Sequence, residues 1–68
     1  MLISTYFKEN ANAARAEVMK NEAGNYYYID YYDAGGNKVF TEAHPGKALH
    51  FVEDAAENWT LGVKVLKG

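Results

Sequence analysis

Five of the six tyrosines in this sequence fall within nine residues, Asn25-Tyr26-Tyr27-Tyr28-Ile29-Asp30-Tyr31-Tyr32-Asp33. Aromatic and β-branched side chains fit a pleated, half-buried surface, so the run reads as a strand. On either side lie two breaks, Asn21-Glu22-Ala23-Gly24-Asn25 and Asp33-Ala34-Gly35-Gly36-Asn37. Glycine there can take positive φ, and Asn or Asp side chains bond to nearby backbone, so both are turn signals. The strand is therefore hemmed in by reversals of the chain. Lys38-Val39-Phe40-Thr41-Glu42-Ala43 then reads as its hairpin partner.

The segment upstream pulls two ways. Residues 12–20, Asn12-Ala13-Ala14-Arg15-Ala16-Glu17-Val18-Met19-Lys20, have good helix propensity, with Asn12 placed to cap. They also alternate, with Ala14, Ala16 and Val18 on one side, and the break that follows has hairpin length. A helix so short is marginal alone. A strand pairing with residues 25–33 is the expected outcome, and a helix is the alternative. Beyond Pro45-Gly46, apolar residues recur at Leu49, Val52, Ala55, Ala56, Trp59 and Val63, which predicts an amphipathic helix over 47–61 stopped at Gly62. Glu53, Asp54 and Glu57 fall mostly on its opposite face. Residues 2–7 and 63–66 read as short flanking strands.

The expected fold is one small α+β domain spanning residues 1–68. It comprises an antiparallel meander of about three strands, one C-terminal amphipathic helix packed on one face, and the two flanking strands. The expected core is Val18, Tyr27, Ile29, Tyr31, Phe40, Leu49, Val52, Ala56 and Trp59.

At 68 residues the hydrophobic gain and the cost of ordering the chain are of similar size. No cysteine is present to add a disulfide or a thiolate metal site. That leaves tight packing or oligomerisation as the source of stability. Hydrophobic content of 49% argues against disorder. A net charge of −2 argues against non-specific binding to nucleic acid or anionic membrane. No apolar run is long enough to span a bilayer, and the first nine residues lack the pattern of a secretory signal. The expected setting is a reducing cytoplasm.

Chemistry-bearing residues are sparse. His50, Glu53 and Asp54 share a helical spacing and, with His44, could be imagined around a metal. The ligand pairs of real zinc sites are absent, and carboxylates early in a helix suit its dipole. Ser4 is the only serine, and no nucleophile elbow, phosphate loop or dinucleotide fingerprint occurs. His44 or His50 could titrate usefully, but nothing in the spacing builds a partner for either. The expectation is a non-enzymatic protein with no catalytic, metal-binding or cofactor-binding residue and no cofactor.

The tyrosines remain. With period two, Tyr27, Ile29 and Tyr31 share one face, and Tyr26, Tyr28 and Tyr32 share the other with Asp30. One helix covers one face only. The second is read as a subunit interface, as a stacking platform for single-stranded nucleic acid, or as tyrosines kept for strand propensity alone. A platform wants basic neighbours, and here they are Asp30 and Asp33. The favoured reading is self-association through Tyr26, Tyr28 and Tyr32, as a homodimer or higher homo-oligomer that could also bind a host protein.

Residues 47–66, Lys47-Ala48-Leu49-His50-Phe51-Val52-Glu53-Asp54-Ala55-Ala56-Glu57-Asn58-Trp59-Thr60-Leu61-Gly62-Val63-Lys64-Val65-Leu66, together with Thr5-Tyr6-Phe7 and Ile29-Asp30-Tyr31-Tyr32-Asp33, resemble small uncharacterised proteins of marine tailed cyanophages. The resemblance spans nearly the whole chain. It implies an accessory product made in the cytoplasm of an infected cell, and it transfers no functional residue.

Overall fold

A computed structural model describes residues 1–9 and 13–62. Four strands, β1 (Leu2–Phe7), β2 (Arg15–Asn21), β3 (Tyr26–Tyr32) and β4 (Lys38–His44), precede one helix, α1 (Leu49–Thr60). The strands form a single antiparallel sheet in the order β1-β2-β3-β4. The α+β meander with its covering helix is as expected, with one strand more. Leu2–Phe7 does not flank the sheet but joins it as an edge strand beside β2. The tail strand expected at 63–66, and Asn12 as a cap, lie outside the described residues.

Arg15–Asn21 is a strand and not a helix, because its alternation lets β3 complete it. Ala16 and Val18 of β2 lie opposite Tyr31 and Ile29 of β3, and all four are fully buried. A helix would have kept Ala14 and Val18 together but turned Ala16 to its opposite side, and left that face of β3 without a partner. The register depends on local turn chemistry. In the β2–β3 turn the Asn21 side chain accepts the Gly24 N–H (2.9 Å) and donates to the Tyr26 hydroxyl (3.1 Å), while Asn25 takes a positive φ of 53°. In the β3–β4 turn Asp33 Oδ1 accepts the N–H groups of Gly35 (3.0 Å) and Asn37 (2.9 Å). Asp33→Ala therefore leaves two donors to water and should cost about 1 kcal/mol, with Asp33→Asn retaining most of it. Urea melts of the two variants check this; equal losses in both would mean that charge, not geometry, matters.

The helix begins at Leu49, two residues later than the periodicity suggested, and its cap, Ala48, makes no side-chain bond. Glu53 and Asp54 therefore lie past the first turn, where the helix dipole acts most strongly. At the other end Gly62, at φ 81°, donates to the Trp59 carbonyl (3.1 Å), and Leu61 donates to that of Glu57 (3.0 Å). This closes the helix where Gly62 was expected to.

Helix α1 lies chiefly over β2 and also touches β1 and β3. Val52, Ala56 and Trp59 point down onto Ala14, Ala16, Val18, Ile29 and Tyr31, and Tyr27, Phe40 and Leu49 pack around them. Every expected core residue is in place. Ala14, Ala16, Ile3 and Tyr6 join them unforeseen. The small Ala16 and Ala56 side chains, both at 0% exposure, allow the helix to approach the sheet closely. Trp59 meets Tyr31 edge-on at 5.0 Å between ring centroids. The total accessible surface, 4261 Å², matches the roughly 4,300 Å² expected of a compact monomer of this mass.

Candidate functional site: the uncovered sheet face

The strand pairings sort the face opposite the helix into rows that run across the strands. One row is Phe7, Arg15, Tyr32 and Lys38. The next is Thr5, Glu17, Asp30 and Thr41. The third is Leu2, Met19, Tyr28 and Ala43, and the last is Asn21 and Tyr26. Tyr26, Tyr28 and Tyr32 thus lie on one face with Asp30, as period two requires. The order of the rows is new information: cations beside the exposed Phe7 ring, then carboxylates, then the Met19–Tyr28 pair. It follows from how β1, β2 and β4 align on β3, which no single strand reveals.

The charged half is knitted together. Arg15 Nε donates to Glu17 Oε2 (3.0 Å), and its guanidinium lies 3.9 Å from the centre of the Tyr32 ring. Lys38 Nζ lies 3.4 Å from Asp30 Oδ2, and the Thr41 hydroxyl donates to Asp30 Oδ1 at 2.7 Å. Glu17 and Asp30 face each other directly across two strands. Such a like-charge pair is unfavourable alone, and Arg15 and Lys38 offset it from either side. Asp30 in turn holds the Lys38 amine above the ordinary lysine value. Although no helix of the described residues covers it, Asp30 is only 5% exposed.

None of the three tyrosines stands free in solvent; each is half-buried. Tyr32 is occupied by Arg15, and burial followed by the Glu17 charge raises its hydroxyl pKa. Tyr26 and Tyr28 have ring centroids 6.2 Å apart, tilted by 54°. Beside them Met19 is half-buried, while Leu2 (52% exposed) and Ala43 are open. Tyr26 and Tyr28 therefore belong to an apolar half of the face, and Tyr32 to the charged half.

The helix side holds a second cluster that the sequence spacing did not suggest. Glu42 Oε1 accepts the Tyr31 hydroxyl (3.0 Å) and lies 2.9 Å from His44 Nε2. The Phe51 ring meets His44 edge-on at 5.9 Å. His44 thus does have a carboxylate partner, contrary to expectation. The signal was available in Glu42-Ala43-His44, since residues two apart share a strand face. His50, Glu53, Asp54 and His44 do not converge. Glu53 accepts the Ser4 hydroxyl (3.0 Å) toward β1, His44 sits with Glu42 on β4, and His50 and Asp54 are exposed. Among the described residues no three His, Cys, Asp or Glu side chains surround a common point, and no helix is long and apolar enough to cross a membrane. A shallow hollow of about 290 Å³ opens on the helix flank at Phe51, Asp54, Ala55 and Asn58.

No protein-family model, curated protein or solved structure matches the chain.

Proposed function

We propose that the protein is a small non-enzymatic binding protein that acts by self-association through the sheet face opposite α1. The observation behind this reading is that the face is one-sided and self-neutral. Its two cations, Arg15 and Lys38, are each engaged by a carboxylate of the same face, Glu17 and Asp30. A second copy can approach such a surface without net repulsion. A nucleic-acid strand would find neither of these cations free for its phosphates, which disfavours the stacking-platform alternative. Four strands at about 4.8 Å spacing and four rows at about 6.7 Å give a face of roughly 19 Å by 27 Å in projection, about 450 Å² because the last row spans only two strands. This is little more than half of the ~800 Å² per partner of a standard interface, so the self-association is expected to be weak and reversible.

In this reading the protein works in the cytoplasm, and the resemblance to cyanophage accessory products would set that cytoplasm in an infected cell. Light scattering across a concentration series tests the self-association. A rise in mean mass through the micromolar range is expected, and a monomer persisting at high micromolar concentration would sink the reading. A fluorescence titration with short single-stranded oligonucleotides at low salt should show no binding; tight, salt-sensitive binding would favour the alternative.

A further inference from the structure

On the helix side of the sheet, Trp59, Tyr31 and Glu42 form a chain of contacts that self-association does not use. The Trp59 and Tyr31 rings meet, and the Tyr31 hydroxyl donates to Glu42 Oε1. We infer that Tyr31 is a proton-coupled electron donor to Trp59. When a one-electron oxidant, such as a small diffusing radical, takes an electron from the indole, Tyr31 replaces it and its phenolic proton passes to Glu42. The indole radical cation gains one electron and returns to neutral Trp59. The Tyr31 O–H bond breaks, leaving a neutral tyrosyl radical and a protonated Glu42 carboxyl. Charge and atoms balance with no further reactant.

Contact, base and charge all favour this step. Trp59 is the only tryptophan, and among the described residues Tyr31 is the tyrosine whose ring meets it, at 5.0 Å between centroids. Electron tunnelling falls off exponentially with the gap, so this pair outruns more distant ones. A phenol that loses an electron becomes a strong acid, and Tyr31, fully buried, cannot release its proton to bulk water. Glu42 Oε1, 3.0 Å from the hydroxyl, is placed to take it, and His44 Nε2 lies 2.9 Å from the same oxygen. At 8% exposure the indole likewise has little water to receive its own N–H proton, so the oxidised ring stays a cation. The Lys8 ammonium, 4.5 Å from the indole centre, repels positive charge there, while the Glu42 charge attracts it toward Tyr31. The step restores the ring that fastens α1 to the sheet and moves the radical to β3, beside the β4 edge.

Pulse radiolysis of the full chain with azide radical, which oxidises indole faster than protonated phenol, tests the inference. Indole and tyrosyl radicals absorb in different regions, so the decay of one and the rise of the other give the rate. Tyr31→Phe and Glu42→Gln, the latter keeping an acceptor oxygen but no base, should each slow the decay by at least about tenfold. Tyr32→Phe should leave it unchanged, because Tyr32 also lies near a carboxylate, Glu17, but its ring faces Arg15 and not Trp59. The wild-type rate should fall in heavy water, a sign of proton motion that a merely structural role of Glu42 would not produce. Circular dichroism of each variant checks that α1 is retained. If Glu42→Gln fails to fold, the isotope effect on the wild type still decides the part of the proton. A rate unchanged by Tyr31→Phe overturns the inference, and so does one that depends on Tyr31 but on neither Glu42 nor the isotope.

Discussion

Trp59→Ala is expected to unfold the domain at room temperature or lower its melting temperature by about 15 °C or more. Trp59 closes the core from the last turn of α1 and is 8% exposed. Its ring packs edge-on against Tyr31 at 5.0 Å between centroids, and the Lys8 ammonium lies 4.5 Å from its centre. Truncation removes the largest side chain that the helix contributes and leaves a cavity over Tyr31. Large-to-small changes of this kind cost about 3–5 kcal/mol. For a domain of 60–100 residues each kcal/mol shifts the melting temperature by about 4–8 °C. Trp59→Phe should recover much of the loss, since it keeps an aromatic contact with Tyr31. Thermal melts followed at the helix band provide the measurement. A Trp59→Ala melt within a few degrees of wild type would mean that α1 does not bury this face.

Tyr31 should give the second largest effect and a distinctive dependence on pH. It is the largest fully buried side chain, lying between Ala16 and Phe40 in the sheet. Tyr31→Ala should cost about 3–5 kcal/mol for the same reason as Trp59→Ala. Tyr31→Phe keeps the ring and loses only the hydrogen bond to Glu42, about 1–2 kcal/mol at neutral pH. The hydroxyl itself is held well above the ordinary tyrosine pKa of 10, by burial first, then by the bond to Glu42 and its negative charge. A pKa raised in the folded state means that the native protein holds this proton more tightly than the unfolded chain. Its contribution to stability is complete below pH ~10, where both states are protonated. It is lost progressively as the pH rises above that value, once the unfolded chain releases the proton and the native state cannot.

Tyr6, raised by burial and then by Glu53, and Tyr32, raised by burial and then by Glu17, act in the same direction. So does Lys38, raised by Asp30. The informative quantity is therefore the difference between wild type and Tyr31→Phe in urea unfolding at pH 8 and at pH 11. The two proteins should draw closer in stability as the pH rises. A gap that stays constant would show that the Tyr31 hydroxyl does not titrate differently in the folded state.

The uncovered face was legible in outline and not in arrangement. Alternation along Tyr26–Tyr32 is enough to separate Tyr26, Tyr28 and Tyr32 from Tyr27 and Tyr31, because successive side chains on a strand point to opposite faces. It says nothing about which residues of β2 and β4 lie beside them. Tyr32 therefore counted as equivalent to Tyr28 in the sequence, although Arg15 occupies one and Met19 flanks the other. The Glu42 cluster shows the same limit. Glu42 and His44 share a face within β4, but Tyr31 reaches Glu42 only diagonally across the β3–β4 pairing, next to an irregularity in register at Tyr31/Tyr32.

The sequence by itself determined the elements whose causes are local. The turns at Asn21 and Asp33 rest on side chains bonding their own neighbourhood, the two faces of β3 on period two, and α1 on a 3.6-residue apolar spacing ended by Gly62. Only the tertiary structure decided that residues 15–21 are a strand, that Leu2–Phe7 joins the sheet, and that the cations, the carboxylates and the Met19–Tyr28 pair fall in successive rows on its open face. Each of these depends on register between strands. Register is set by burial on the other face and by bulges such as the one between Leu2 and Ser4, so it exists only once the strands have paired.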